Sequence, residues 1–208
     1  ASIIGFGSAD EARTSFMKKL SSSLDLGGEE GIDKDLSLDE KVYDKQILER
    51  NSYSFEVIHT PGHLSNHICF SIKEKNALFS GDHVMGWATT LISPPDGDLG
   101  SFMRSLEKLS KRDEQIYYPG HGKPLREPKK MVLAQIAHRR DREKQILNSI
   151  TKISRTPAEI VDNVYIDLNP MLKPAAIRNV LAHLINLYER GNVRVDKFSI
   201  SAKFSKAN

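Results

Sequence analysis

His59-Thr60-Pro61-Gly62-His63 follows directly on an alternating stretch, Tyr53-Ser54-Phe55-Glu56-Val57-Ile58, and its reading decides the fold. Period-two alternation predicts a strand, and Pro-Gly predicts the turn that ends it. A histidine held at a strand end by a glycine turn has the fixed direction that metal coordination demands. Two later segments, Ser80-Gly81-Asp82-His83 and Tyr118-Pro119-Gly120-His121-Gly122, repeat the device, each placing a His or Asp beside a glycine turn. Upstream of residue 59 there is no histidine at all.

Outward from these segments, Ile68 to Ile72 and Ala77 to Phe79 read as a hairpin around Lys73 to Asn76, leading into Ser80-Gly81-Asp82. Beyond the Pro-rich loop Ser93 to Gly97, Asp98 is placed to cap a helix reaching about Lys111, with Phe102, Leu106 and Leu109 on its buried face. Gln115 to Tyr118 is the strand that presents His121. Towards the start, Ile3 to Phe6 reads as a short strand and Glu11 to Leu24 as a helix with Phe16, Met17, Leu20 and Leu24 on one face. Gly27 to Glu40, glycine-bearing and acidic, reads as an irregular loop bordering the site. Strand, strand, helix, strand, with donors at strand ends, is an α/β arrangement, one layer pair of an αβ/βα sandwich.

The pattern changes after His121. Glu127 to Ile150 reads as a long charged helix bridging two domains, and Thr156-Pro157-Ala158-Glu159 is a capping box with Pro at the first helical position. A further helix from Lys173 to Gly191 carries Ile177, Leu181, Leu184 and Leu187 on one side, and Val193 to Val195 and Phe198 to Ile200 alternate like a small hairpin. Helices followed by a two-stranded wing describe a winged-helix-like α+β domain. The chain therefore divides into 1–145 and 146–208. A winged helix admits nucleic acid as a partner, but Lys173, Arg178 and Arg190 are a sparse basic set, which favours a structural or dimerising appendage.

The 208 residues, 39% hydrophobic, suffice for one medium and one small domain, and the net charge of +3 is small. Basic residues concentrate between Arg104 and Lys144, a distribution suited to anionic substrates. The one cysteine, Cys69, lies in the apolar run Ile68 to Ile72 and reads as a buried strand thiol of a reducing, cytoplasmic compartment. No stretch is long and apolar enough to span a bilayer, so no membrane partner is expected.

The Thr-Pro-Gly-His, Ser-Gly-Asp and Pro-Gly-His-Gly elements, in this order and spacing, resemble the metallo-beta-lactamase-fold hydrolases, and among them the beta-lactamase-like hydrolases with a C-terminal winged-helix domain. The resemblance runs from about residue 10 to near the end. It implies two divalent metal ions, zinc foremost with iron or manganese as substitutes: His63 on the first, Asp82 bridging both as the catalytic carboxylate, and His121 on the second. It implies hydrolysis of an ester, thioester, amide or phosphodiester by a metal-activated hydroxide, with no side-chain nucleophile. The family's His-x-His-x-Asp-His motif and first sheet layer have no counterpart here, so by resemblance the chain begins well inside the catalytic domain. Weak or absent metal binding by the chain alone is expected, and an apolar sheet face whose exposure promotes a homodimer.

His67, His83 and Tyr118 stand beside these positions as candidates for orienting a ligand or touching substrate. His59 reads as a strand end, and His138 and His183 as helix residues with interhelical hydrogen bonds. Trp87 and Met85 are candidates for a pocket wall. The rival reading is a non-catalytic remnant that binds nucleic acid or protein through the winged helix.

Overall fold

The computed structural model describes residues 2–23, 37–87, 89–150 and 153–207. In chain order the elements are β1 (Ile4–Gly5), α1 (Ala9–Ala12), α2 (Ser15–Ser23), β2 (Glu40–Lys41), β3 (Ile47–Arg50), β4 (Tyr53–His59), β5 (Ile68–Ile72) and β6 (Ala77–Gly81). They continue with α3 (Leu99–Leu109), β7 (Ile116–Pro119), α4 (Pro128–Ser149), α5 (Pro157–Val164), α6 (Lys173–Glu189), β8 (Val193–Arg194) and β9 (Ser205–Lys206). The class is α/β, as expected, with a small α+β unit at the C-terminal end.

The central sheet has the order β3-β4-β5-β6-β7. β4, β5 and β6 pair antiparallel in succession, whereas β6 and β7 are parallel because α3 crosses between them. It follows that β4, β6 and β7 run the same way, and their C-terminal ends share one edge. This topology gathers the three glycine-flanked segments.

Alternation then sorts the side chains. Ile58, Cys69, Leu78 and Tyr117 face α3 and α4, where they form one core with Leu99, Phe102, Leu106, Leu109, Val132 and Ile136. Asp98 caps α3 as expected, its side chain accepting from the Ser101 N–H at 3.1 Å. Burying each Phe or Leu of the α3 face contributes about 1.5–3 kcal/mol relative to exposure. The opposite sheet face is only partly covered: Val57, Val42 and Leu48 are buried, but Phe79 is 43% exposed. An apolar hollow of about 310 Å³ lies there between Ile4, Leu48, Phe55, Phe70 and Phe79.

The C-terminal unit has its own core, built from Ile160, Val161, Val180, Leu181, Leu184, Val193 and Phe204, which takes in Ile146 of α4, Ile150 just past its end, and Met17 and Leu20 from α2. The capping box at Thr156 is present in full, with the Thr156 hydroxyl accepting from Glu159 N–H and the Glu159 carboxylate accepting from Thr156 N–H. Two expectations change. The helix expected from Glu11 divides into α1 and α2, because Thr14 opens a second helix by accepting from Met17 N–H at 3.3 Å. The wing partner of β8 is β9 and not Phe198 to Ile200, because Phe198 turns inward, 4.8 Å from the Tyr188 ring centroid. β3 went unread, being short and largely exposed. Leu24 and the expected loop from Gly27 to residue 36 lie outside the described residues.

Candidate metal centre

At the shared strand edge His63 and His121 both turn towards Asp82. His63 Nε2 lies 3.9 Å from Asp82 Oδ2, and His121 Nε2 lies 3.7 Å from the same oxygen. These separations are too long for hydrogen bonds. They fall below about 4.1 Å, the sum of a metal–imidazole and a metal–carboxylate bond, so each gap is of a width that a divalent ion can bridge. Asp82 Oδ1 is buried and, among the described residues, has no hydrogen-bond partner. A cation is the partner that such an orphaned carboxylate oxygen fits.

The turn residues explain how these donors reach their places. β6 and β7 pair to their last residues, Gly81 opposite Pro119, and Gly120 N–H donates to Gly81 O at 2.9 Å, which sets Asp82 beside His121. A Cβ on Gly120 would stand 2.6 Å from Asp82 Oδ1, so only glycine leaves room for that carboxylate. His63 is aimed from its other nitrogen. Its Nδ1 lies 3.0 Å from Leu91 O; a carbonyl only accepts, so Nδ1 carries the proton and Nε2 offers its lone pair towards Asp82.

Behind these donors lies a second row of histidines. His67 shares a 2.8 Å hydrogen bond between its Nδ1 and the Thr60 hydroxyl, and Thr60 in turn contacts Cys69 Sγ at 3.2 Å. Burial, reinforced by the neighbouring His63, lowers the His67 pKa to about 4, so it is neutral at pH 7. His83 is wholly buried, its ring 4.3 Å from that of Phe102, and burial pushes its pKa well below the ordinary value. That position removes direct substrate contact from the two roles expected of it. Tyr118 packs against Phe79 at 5.5 Å on the open face of the sheet. Met85 is buried, whereas the exposed Trp87 indole lies across Gly122, next to His121.

Other expectations fall out differently. His59 ends β4 and stacks on Phe6 at 3.8 Å. His183 is buried in α6 and, among the described residues, neither ring nitrogen has a hydrogen-bond partner, contrary to the interhelical bonding expected. The cations of the α6 region are engaged within the chain: Lys173 with Asp162 at 2.5 Å, Arg178 with the Ser93 hydroxyl at 2.8 Å, and Arg190 with Glu143 at 2.5 Å. Sequence reading also missed Thr90, Leu91, Arg139 and Asn179, which surround the site from below. Arg139 sits in a run of charges that reads as a solvated helix face, yet its side chain is buried. Local pattern carries no signal for such a role.

A family model described as the metallo-beta-lactamase superfamily matches residues 8–121, and one described as the beta-lactamase associated winged helix domain matches 156–199. The chain belongs to the metallo-beta-lactamase superfamily. Its superfamily generally binds divalent metals, in keeping with the donors at Asp82. This metallo-beta-lactamase chain is 33% identical over 80% of its length to a beta-lactamase-like protein 2 homolog of Drosophila melanogaster, covering 56% of that protein. It is 30% identical over 73% of its length to an atrochrysone carboxyl ACP thioesterase of Paecilomyces divaricatus, covering 50% of it. The chain thus spans about half the length of these curated relatives. Among solved structures, a metallo-beta-lactamase family protein from Thermus thermophilus superposes with a TM-score of 0.77 at 22% identity, over 99% of this chain and 72% of that one. At that identity the likeness bears on fold alone. Among the described residues no group of three or more His, Cys, Asp and Glu side chains could hold an ion; His63, Asp82 and His121 form two pairs that share Asp82. Imidazole and carboxylate are donors of the kind that divalent ions take.

Proposed function

We propose that this chain carries part of a dinuclear metal-dependent hydrolase centre acting on an ester or thioester, with His63 and Asp82 on one ion and Asp82 and His121 on the other. The observation that supports it is the convergence of both imidazoles on Asp82 Oδ2 while Oδ1 stays unpartnered. Acyl chemistry is favoured because several relatives are named thioesterases. Zinc is the first choice of metal for an imidazole and carboxylate set, with iron and manganese as substitutes.

Divalent ions bound at such a centre acidify a water and polarise the acyl oxygen. The chain's own residues supply the rest. Asp82 presents Oδ2 to both imidazoles, His63 is fixed in a single tautomer by Leu91, and neutral His67 adds no competing positive charge behind the site. Trp87, exposed beside His121, offers an apolar wall for an acyl chain. The buried Cys69 thiol, pushed up to about 12 by burial, takes no part as nucleophile. We further propose 1–145 as the hydrolase unit and 146–208 as its appended module. The engaged cations of α6 speak against a nucleic-acid reader.

The test is hydrolysis of a short-chain acyl thioester by the native gene product, with and without a chelator. Turnover that falls with chelation, returns with zinc or manganese, and is lost in Asp82→Asn is the expected result. Chelator-insensitive turnover, or full activity in Asp82→Asn, would overturn the proposal.

A further inference from the structure

Thr90 to Ser93 is the segment on which the metal donors hang. Leu91 O accepts from His63 Nδ1, and the Thr90 hydroxyl donates to the backbone carbonyl of Asp82. The segment is itself gripped from below by two helices. Arg139 of α4, buried with its guanidinium 5.4 Å from the Phe102 ring centroid, donates to Thr90 O and, at 3.2 Å, to Asn179 Oδ1. That same Asn179 oxygen, on α6, accepts from Ile92 N–H at 3.2 Å. Arg178, its neighbour, donates to the Ser93 hydroxyl at 2.8 Å.

We infer that Asn179 of the winged-helix module and Arg139 of α4 are positioning residues that set the Thr90–Ser93 segment, and through it the tautomer and aim of His63. The module then acts as a brace for the metal centre. An amide oxygen suits the role because it accepts two N–H donors at once, one from backbone and one from Arg139, and locks both at a half-buried place. Leucine, of similar volume, would leave Ile92 N–H and an Arg139 N–H without an acceptor, while aspartate keeps the acceptor and adds a charge opposite Arg139. Leu91 O is the partner bonded to His63, a place where disruption commonly changes metal affinity by about 10- to 100-fold, and Asn179 and Arg139 act on it through the backbone on either side.

The inference rests on the dinuclear reading for its metal arm, and its test has a second arm that does not. On the full chain, nitrogen chemical shifts of the His63 ring report its tautomer, and amide exchange reports protection at Ile92; zinc titration reports affinity. Asn179→Leu is expected to mix the two His63 tautomers, speed Ile92 exchange by about 10-fold or more, and weaken zinc by about 10-fold or more. Asn179→Asp is expected to keep the parent tautomer and stay within about 3-fold of the parent's zinc affinity. Val180→Ala, a cavity in the module's core beside Asn179, controls for plain loss of stability and is expected to move neither His63 nor zinc. Unchanged His63 and Ile92 signals in Asn179→Leu would overturn the inference, as would equal effects from Val180→Ala. Should Asn179→Leu fail to fold, Arg139→Lys, which gives up the forked reach to Thr90 O and Asn179, is judged by the same signals. A parent chain that binds no zinc agrees with the weak or absent metal binding expected of the chain alone, and leaves the tautomer and exchange arm to decide this inference.

Discussion

Gly62 and Phe102 touch backbone to backbone: a Cβ on Gly62 would stand 2.3 Å from Phe102 Cα, and Gly62 holds a φ of +143°. The turn before His63 is therefore pressed against the first turn of α3, whose Asp98 N–H donates to Gly62 O at 2.9 Å. Gly62→Ala meets both a left-handed φ and immovable backbone. A loss of about 3 kcal/mol or more is expected in chemical denaturation, with His63 displaced even where the variant folds. A near-neutral Gly62→Ala would contradict this contact.

Asp82 is shared between the two imidazoles, which makes the ligand substitutions unequal. Asp82→Asn is expected to lose both ions from the native gene product, whereas His121→Ala loses the second and keeps the first. Native mass spectrometry of metal-loaded samples reads the stoichiometry directly. Equal stoichiometry in parent and Asp82→Asn would overturn the bridging role proposed for Asp82.

Cys69 is fully buried and its thiol is pushed up to about 12 by burial. At pH 8 it holds about a thousandfold less thiolate than a free cysteine, before access is counted. Disulfide exchange with a chromogenic reagent is expected to be negligible in the folded chain and to titrate one thiol in denaturant. Rapid labelling of the native protein would show that the β4–β5–β6 core opens readily.

His183 is buried on α6, where burial first and then Arg139 and Arg142 push its pKa well below 6.5. As pH falls below about 6.5 the unfolded chain takes up a proton that the folded chain refuses, so stability present above that pH is progressively lost. The slope from this one group reaches at most about 1.4 kcal/mol per pH unit. Denaturation midpoints between pH 7 and 5 are expected to fall less steeply in His183→Leu than in the parent. Identical slopes would show that His183 is not among the groups resisting protonation.

By itself the sequence determined the local pieces: β4 from the alternation Tyr53 to Ile58, the Asp98 and Thr156 caps, the hairpin before Asp82, and the chemical kind of the donors His63, Asp82 and His121. Those depend on neighbours a few residues away, so a linear pattern records them. Tertiary structure decided what depends on residues far apart. The parallel pairing of β6 with β7 brings Asp82 to His121; the inward turn of Phe198 moves the wing to Ser205–Lys206; and Arg139, in a run of charges, is buried because Thr90 O, Asn179 and the Phe102 ring satisfy it where they meet. A buried charge is tolerable only where such partners converge, and convergence across about 90 residues leaves no trace in spacing.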